Sequence, residues 1–351
     1  MNLIQKLQQT GDFLSLTRAN EWSLPQAPFS FNVTHQATNT QSLVSVLDTG
    51  VIVFEPVDRK TSKDIILSNA VHGNETAPIE ICADIVSQLI KGELYLAERV
   101  LFLFGNPAAM NIGERFVEEN LNRLFSGAHS EGGVHNKERT RAKALEDAVA
   151  NFFEQGGTAQ ERERFHYDLH TAIRGAKYDK FAVYPFRHGK PWKKSQLAFL
   201  KACDVNTILL SHSPTTTFSY YSSNNFGADA FTVELGKVMP FGENDMTKFI
   251  KVRQTLINFV SGQALDITAY QEEDFNIFEI DQTINKHTEN FTLNFADDVE
   301  NFTDYPIGYV LATDGDIEHK VRTQGEAIIF PNANVALGQR ALLTVKPTSI
   351  E

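Results

Sequence analysis

The sequence of 351 residues predicts an α/β protein with a largely parallel sheet, followed by a smaller all-β region. Three observations carry that expectation. A strand–helix–strand unit occupies residues 64–105. Two further apolar strands lie between helical segments at 137–155 and 246–260. Beyond residue 263 helical periodicity disappears, and short strands separated by turns replace it.

Taken in order, Leu43–Leu47 and Val51–Glu55 read as strands joined by an Asp48-Thr49-Gly50 turn. Asp64–Val71 (DIILSNAV) is a short apolar run of the kind that forms a buried strand, and HGNE follows it as a loop. A helix then begins, with Thr76 as its expected N-cap and Pro78 in its first turn. Ile79, Cys82, Val86, Leu89 and Ile90 recur at helical spacing until Gly92 stops the helix. Arg99–Gly105 is the next buried strand, ended by Asn106-Pro107. Lys137–Gln155 places Leu145, Val149 and Phe152 on one helical face and ends at Gly156-Gly157. Phe165–His170 and Ala230–Leu235 are strands. Met246–Val260 carries Phe249, Val252, Leu256 and Phe259 at helical spacing. In the tail, FTLNF, YVLAT, AIIF and ALLTV are strand-like, with turns at Asp314-Gly315 and Pro331-Asn332.

A chain of this length exceeds a comfortable single core, so we expect residues 1–262 as one domain and 263–351 as a β-rich second domain. There is no internal repeat and no low-complexity tract. Hydrophobic residues make up 42% and charged residues 22%, the composition of an ordinary globular enzyme. No apolar run approaches the roughly 18 residues of a membrane span. The amphipathic start, MNLIQKLQQTGDFLSL, lacks the apolar stretch and cleavage site of a signal peptide. Two distant cysteines, Cys82 and Cys203, read as buried apolar side chains and suit a reducing cytoplasm. The net charge of −12 disfavours nucleic acid and anionic membranes as partners. It leaves a homo-oligomer open. It also means that any anionic substrate must find a locally positive pocket.

Four places can carry chemistry. His72 and Glu75 lie in the loop after a buried strand, where α/β proteins build sites, and an imidazole and a carboxylate at i, i+3 can converge on one metal. Alone, such a pair is common by chance. Asp168 and His170 share a strand face, so His170 can complete a His-Glu-His set with Asp168 supporting it from behind. Taken singly, a strand histidine beside a carboxylate is as readily structural. Glu234 interrupts an apolar strand, FTVELG; it is either part of an ion pair or a base working near neutral pH. Arg115, Asn122 and Arg123 sit among acids in GERFVEENLNRLFSG, either as a surface ion-pair network or as a clamp for a carboxylate.

The order HGNE, NP, Arg with NLNR, DLH and VELG resembles the aspartoacylase and succinylglutamate desuccinylase family. The longer stretches HGNETAPIE, GNPAAMNIGERFVEENLNRLF, DLHTAIRG and KFAVYPF look most like its desuccinylase members. The resemblance runs from about Asp64 to Gly242, and the β-rich tail fits the family's C-terminal domain by position and texture. It implies a zinc-carboxypeptidase-like mixed sheet flanked by helices. It also implies one zinc ion per chain, held by His72, Glu75 and His170. Glu234 would be the general base, Arg115 would polarise the scissile carbonyl, and Asn122 with Arg123 would hold the amino-acid α-carboxylate. Arg174, four residues beyond His170, is our own candidate for a distal carboxylate.

The activity so implied is hydrolysis of a small N-acyl amino acid, N-succinyl-L-glutamate, to succinate and L-glutamate in arginine catabolism. Zinc, Arg115 and Arg123 would then supply the local positive charge. A related deacylase acting on N-acetylaspartate or a similar substrate is the nearest alternative. A zinc carboxypeptidase is less compatible with the β tail. A catalytically silent metal-binding or carboxylate-sensing module would have no use for Glu234. Ser211-His212-Ser213 lacks the turn of a serine-hydrolase nucleophile.

Overall fold

A short helix, α1 (Leu3–Thr10), opens the computed structural model, which describes residues 3–24, 27–133 and 135–350. The second helix, α2 (Phe13–Ala19), is capped by Asp12, whose carboxylate accepts from the Ser15 amide at 2.9 Å. Three antiparallel strands follow: β1 (Phe29–Thr34), β2 (Gln41–Asp48) and β3 (Val51–Pro56). The turn between the last two needs Gly50, which has φ +64°; a Cβ there would meet the Phe104 carbonyl at 2.4 Å.

Next come β4 (Lys63–Asn69), α3 (Thr76–Ile90), β5 (Arg99–Phe104), α4 (Pro107–Ile112) and α5 (Lys137–Gly156). The chain continues through β6 (Glu163–Ala172), β7 (Lys180–Tyr184), α6 (Lys194–Ala202), β8 (Thr207–Leu210), α7 (Phe218–Phe226), β9 (Asp229–Lys237) and α8 (Ile250–Ser261). The tail supplies β10 (Asn276–Asn285), β11 (Thr292–Leu293), β12 (Val310–Asp314), β13 (Ile317–Lys320), β14 (Ala327–Ile329) and β15 (Arg340–Pro347).

Twelve strands form one mixed sheet in the order β1-β2-β3-β5-β4-β6-β9-β7-β8-β10-β15-β14, and β11, β12 and β13 form a second, small sheet. The strands β5, β4, β6 and β9 are mutually parallel, β7 runs antiparallel to β9, and β8 and β10 run parallel to β7. The protein is therefore a mixed α/β structure with helices on the sheet and a smaller β-rich C-terminal part. The expectation of a largely parallel sheet holds for the centre, while the meander of β1 to β3 and the tail hairpins make both flanks antiparallel. The segment around residue 263 lies between α8 and the tail, yet β10 pairs with β8, so the sheet runs on without a break.

Strand alternation sorts the core into layers. Ile65, Leu67, Phe165, Tyr167, Leu169, Phe231, Val233 and Leu235 face α3 and α8, packing with Ile79, Val86, Leu256 and Phe259. Ile66, Leu101 and Leu103 face the other way, toward Leu145, Val149 and Phe153 of α5 and Phe218 and Tyr221 of α7. The alternate residues of β6 and β9 on that second face are mostly polar, Ala230 apart. They are His166, Asp168 and His170, with Thr232 and Glu234 beside them in register. Beyond them, Phe181, Leu209, Phe278, Phe302, Ile329 and Leu343 bring the tail down against the sheet. The polar stripe thus lies between the α5–α7 layer and the tail.

One cap differs from expectation. The helix α3 starts at Thr76, and Glu75 occupies the N-cap position without capping through its side chain. Thr76 instead donates to the Met239 carbonyl at 2.7 Å and accepts from Asn244, tying the helix start to the segment after β9. The carboxylate that would have capped the helix points at the two histidines.

Candidate metal and active site

The site is assembled where β4, β6 and β9 end on one side of the sheet. After β4 the chain turns sharply: Ala70 has φ 54°, a left-handed conformation that costs a residue with a side chain about 1 kcal/mol or more. The Ala70 carbonyl accepts from Asn106 at 2.7 Å, which holds the turn in place. Gly73 then lets the loop lie directly on α4, since a Cβ there would sit 2.2 Å from the Ala109 carbonyl carbon. This close packing brings His72 and Glu75 inward together.

His72, Glu75 and His170 are all buried. His72 Nδ1 lies 2.8 Å from Glu75 Oε1, and His170 Nδ1 lies 2.8 Å from Glu75 Oε2. The far nitrogen of each ring is also held: His72 Nε2 by Asn120 Oδ1 and His170 Nε2 by Asp168 Oδ2, both at 2.9 Å. Each imidazole is thus fixed at its outer nitrogen and aims its Nδ1 at a common point, the arrangement that orients metal-binding histidines. One ligand atom from each of these three residues falls within 4.8 Å of the others, and among the described residues this is the set able to hold a metal ion. Two nitrogens and one carboxylate are the donor set of many catalytic zinc sites. No ion need be assumed to see the strain: burial and the Arg115 charge push His72 down to about 4. Burial would also lower His170, but the Asp168 and Glu75 carboxylates overcome it and hold that ring well above its usual value. Burial opposes ionisation of Glu75, yet the charges of His72, His170 and Arg115 keep it well below the ordinary carboxylate range.

Behind His170 runs a buried polar chain. Ser68 donates to Asp168 Oδ1 at 2.5 Å and meets His166 Nε2 at 2.7 Å, while Ser222 reaches His166 Nδ1 at 2.6 Å. Asp168 therefore supports His170 as its strand position suggests. Sequence reasoning missed Ser68, His166 and Asn120. The first two carried a signal: both are polar residues on the same strand face as the metal set. Asn120 sits in a loop without periodicity, and only its neighbour pair in NLNR was singled out.

Glu234 pairs in register with His170 and is buried, with Oε2 lacking any hydrogen-bond partner. Burial, reinforced by the Glu75 charge, pushes it up to about 7. It is not the member of an ordinary ion pair, for no cation bonds to it among the described residues.

The loop of residues 114–120 is anchored from below by the buried carboxylate of Glu138, which accepts from the amides of Val117, Glu118 and Glu119 at 2.7, 2.8 and 2.7 Å. Glu119 in turn is gripped by Arg139 at 2.7 Å through both Nε and Nη2. The ion-pair network suggested by this acid-rich stretch thus belongs to Arg139, leaving the other arginines free for the site. Arg115 points in and donates to Glu75 Oε1 at 2.6 Å. Asn122 is buried and accepts from the Phe218 amide at 3.1 Å, so its amide NH2 is the free group. Arg123 donates to the Asn122 carbonyl at 3.0 Å and has no carboxylate partner among the described residues. Its side chain is exposed to water, while the surrounding protein together with the Arg340 and Arg115 charges lowers it to about 9. Arg174 lies two residues past β6, with Nη1 buried and unpartnered. Cys82 and Cys203 are buried free thiols. Among the described residues no helix is long and apolar enough to cross a membrane.

Comparison with known proteins gives the chain its relatives. The model of the succinylglutamate desuccinylase/aspartoacylase catalytic domain matches residues 61–260, and that of the AstE/AspA barrel-sandwich hybrid domain matches residues 273–348. A succinylglutamate desuccinylase of Pseudoalteromonas atlantica is 52% identical over 351 residues, covering 99% of this chain and 98% of its own. One of Shewanella pealeana is 50% identical over 345 residues, covering 98% of each. Among solved structures, a succinylglutamate desuccinylase from Chromobacterium violaceum superposes with a TM-score of 0.82 at 36% identity, covering 96% of this chain and 98% of that one. One from Vibrio cholerae gives 0.85 at 31% identity, covering 95% and 94%.

Proposed function

The chain belongs to the succinylglutamate desuccinylase/aspartoacylase family, and from that premise we propose that it hydrolyses N-succinyl-L-glutamate to succinate and L-glutamate with one zinc ion. The observation that carries the proposal is the convergence of His72 Nδ1 and His170 Nδ1 on the two oxygens of Glu75, with the unpartnered Glu234 in the adjacent strand. His72, Glu75 and His170 would hold the metal. When bound, zinc supplies an acidified water and polarises the acyl carbonyl.

The protein's own groups do the rest. Glu234 takes the proton of the attacking water and returns it to the departing amine; a carboxyl pushed up to about 7 is suited to both transfers near neutral pH. Arg115, already turned into the site, steadies the charge developing on the carbonyl oxygen. Asn122 and Arg123 hold the amino-acid α-carboxylate, and Arg174 meets the succinyl carboxylate. Residues 1–262 would form the catalytic unit and 263–351 a β-rich wall over it. Within an acidic protein, these arginines form the positive pocket that a tricarboxylate requires. We also propose arginine catabolism as the setting and the cytoplasm as the compartment.

The test is release of amino acid from a panel of N-succinyl and N-acetyl amino acids, with and without chelator. Preferred turnover of N-acetylaspartate would move the chain to the aspartoacylase side of the family. No turnover of any member would leave a silent metal-binding module.

A further inference from the structure

His166 lies on β6, on the same strand face as Asp168 and His170. Its lateral partners in the sheet are apolar, Ile66 and Ala230. The ring is fully buried and meets Phe218 of α7 edge to face, with centroids 4.7 Å apart at 89°. An imidazole in such a place is costly unless both nitrogens are bonded. Both are: Nδ1 to Ser222 Oγ at 2.6 Å and Nε2 to Ser68 Oγ at 2.7 Å. A satisfied core histidine needs no more than this. What sets His166 apart is where its bonds lead.

The protons of this chain run in one sense only. Asp168 receives Ser68 on one oxygen and His170 on the other, and a carboxylate has no proton to give. Ser68 has a single proton and gives it to Asp168 Oδ1, so its oxygen must accept from His166 Nε2–H. Burial pushes the His166 ring down to about 4, so near neutral pH it carries one proton, and that proton is on Nε2. His166 Nδ1 therefore accepts from the Ser222 hydroxyl. At the other end Asp168 Oδ2 holds His170 Nε2–H, so the nitrogen left to a metal is Nδ1. The chain starts on α7, the helix whose Phe218 amide also holds Asn122 Oδ1 at 3.1 Å.

We propose that His166 is a positioning residue of the metal site: with Ser222 and Ser68 it forms a one-way hydrogen-bond chain that fixes the Asp168 carboxylate, and through it presents His170 Nδ1 as the ligand atom. The inference rests on the functional reading above, in that His170 is taken as a metal ligand.

The experiment uses the full chain and four readouts. They are zinc Kd by competition with a chelator, thermal unfolding of the metal-free protein, the visible spectrum with cobalt in place of zinc, and the protonated nitrogen of His166 by NMR of isotope-labelled, zinc-loaded protein. His166→Phe keeps a ring against Phe218 and removes both bonds. Its zinc Kd should rise about tenfold, the lower end for groups that orient a ligand, and its cobalt spectrum should shift. His166→Gln offers an amide donor to Ser68 and should stay within about threefold of the wild type. Ser68→Ala should match His166→Phe, and the two together should be no worse than either, because they break one chain. Ser222→Ala, the mildest change, should raise zinc Kd about threefold, and it decides the matter if His166→Phe does not fold. At saturating zinc KM should change by less than about twofold, since the Phe218 amide still holds Asn122. A lower unfolding temperature with unchanged zinc Kd and cobalt spectrum would make His166 a core residue only and overturn the proposal. Fully additive losses from Ser68→Ala and His166→Phe would overturn it too, as would a His166 proton found on Nδ1, which reverses the chain. Wild-type protein that bound no zinc would sink the functional reading and this inference with it. Tight wild-type binding left unaltered in every variant would sink this inference alone.

Discussion

Replacing Glu234 by glutamine should make the metal-free protein more stable while making the enzyme nearly inactive. Glu234 is buried beside Glu75, with one oxygen unpartnered, and these surroundings raise it from 4.5 to about 7. At about 1.4 kcal/mol for each pH unit, keeping this carboxylate charged in the fold costs about 3 kcal/mol. The sign follows from linkage: a raised acid binds its proton more tightly folded than unfolded, so stability falls as pH rises from about 4.5 through about 7 and is fully reduced above that. Glutamine has the same shape and carries no charge. At pH 8 metal-free Glu234→Gln should therefore be about 3 kcal/mol more stable than the wild type. With about 2.1 cal/mol/K of unfolding entropy per residue, a chain of 351 residues turns that into about 4 °C in Tm. At pH 4.5 to 5 the gap should close, since both side chains are then largely neutral. The assay is thermal unfolding of chelator-treated protein across that pH range, with turnover of the zinc-loaded form measured in parallel. Turnover should fall at least ~10²-fold, with zinc content unchanged. A variant less stable at pH 8, or a gap that persists at pH 5, would refute the burial argument. Loss of zinc would make Glu234 a ligand.

Metal dependence is checked by elemental analysis and chelation: about one zinc per chain is expected, with activity lost on removal and restored on return. Asp168→Asn keeps the shape of a side chain that receives Ser68 and His170 but removes its charge, so zinc affinity measured by competition with a chelator should fall about 10- to 100-fold. Arg115→Ala should lower kcat by roughly 10²–10³, whereas Arg123→Ala should chiefly raise KM, and steady-state kinetics showing the reverse would exchange their roles. If Arg174 receives the succinyl carboxylate, N-butyryl-glutamate should lose about 2–4 kcal/mol in kcat/KM relative to N-succinyl-glutamate, and Arg174→Ala should narrow that difference. An unchanged difference would clear Arg174.

Most of the central fold was legible because its strands are short apolar runs, β4 and β5 above all, and its longer helices keep their period. Asp64–Val71, Arg99–Gly105 and Lys137–Gln155 all appear within a residue or two of the expected bounds. The helices α1, α6 and α7 were not: they are short, and α7 (FSYYSSNNF) has little contrast between its faces because Ser219 and Ser222 turn inward to meet Thr232 and His166. The same cause hid half of the site. His72, Glu75, His170 and Glu234 announce themselves as polar residues in or beside apolar runs. Asn120 belongs to a loop whose neighbours in sequence say nothing about what lies across the site. Thr76 shows the limit of local rules: a residue suited to capping was drawn off by the Met239 carbonyl, 163 positions away.

The pairing of β10 with β8 has a consequence for how this molecule can be divided. The strand β8 is four buried residues, TILL, and its outer edge is satisfied only by the tail. A fragment cut near residue 263 would present that apolar edge, with unpaired amides and carbonyls, to any passing chain, the condition under which strands aggregate. The two halves should thus be made and folded together, and the tail cannot swing aside as a flap without tearing backbone hydrogen bonds. Substrate traffic must therefore use motion in the loops around the site, and insertions or grafts meant to alter specificity belong there, not at the seam between the halves.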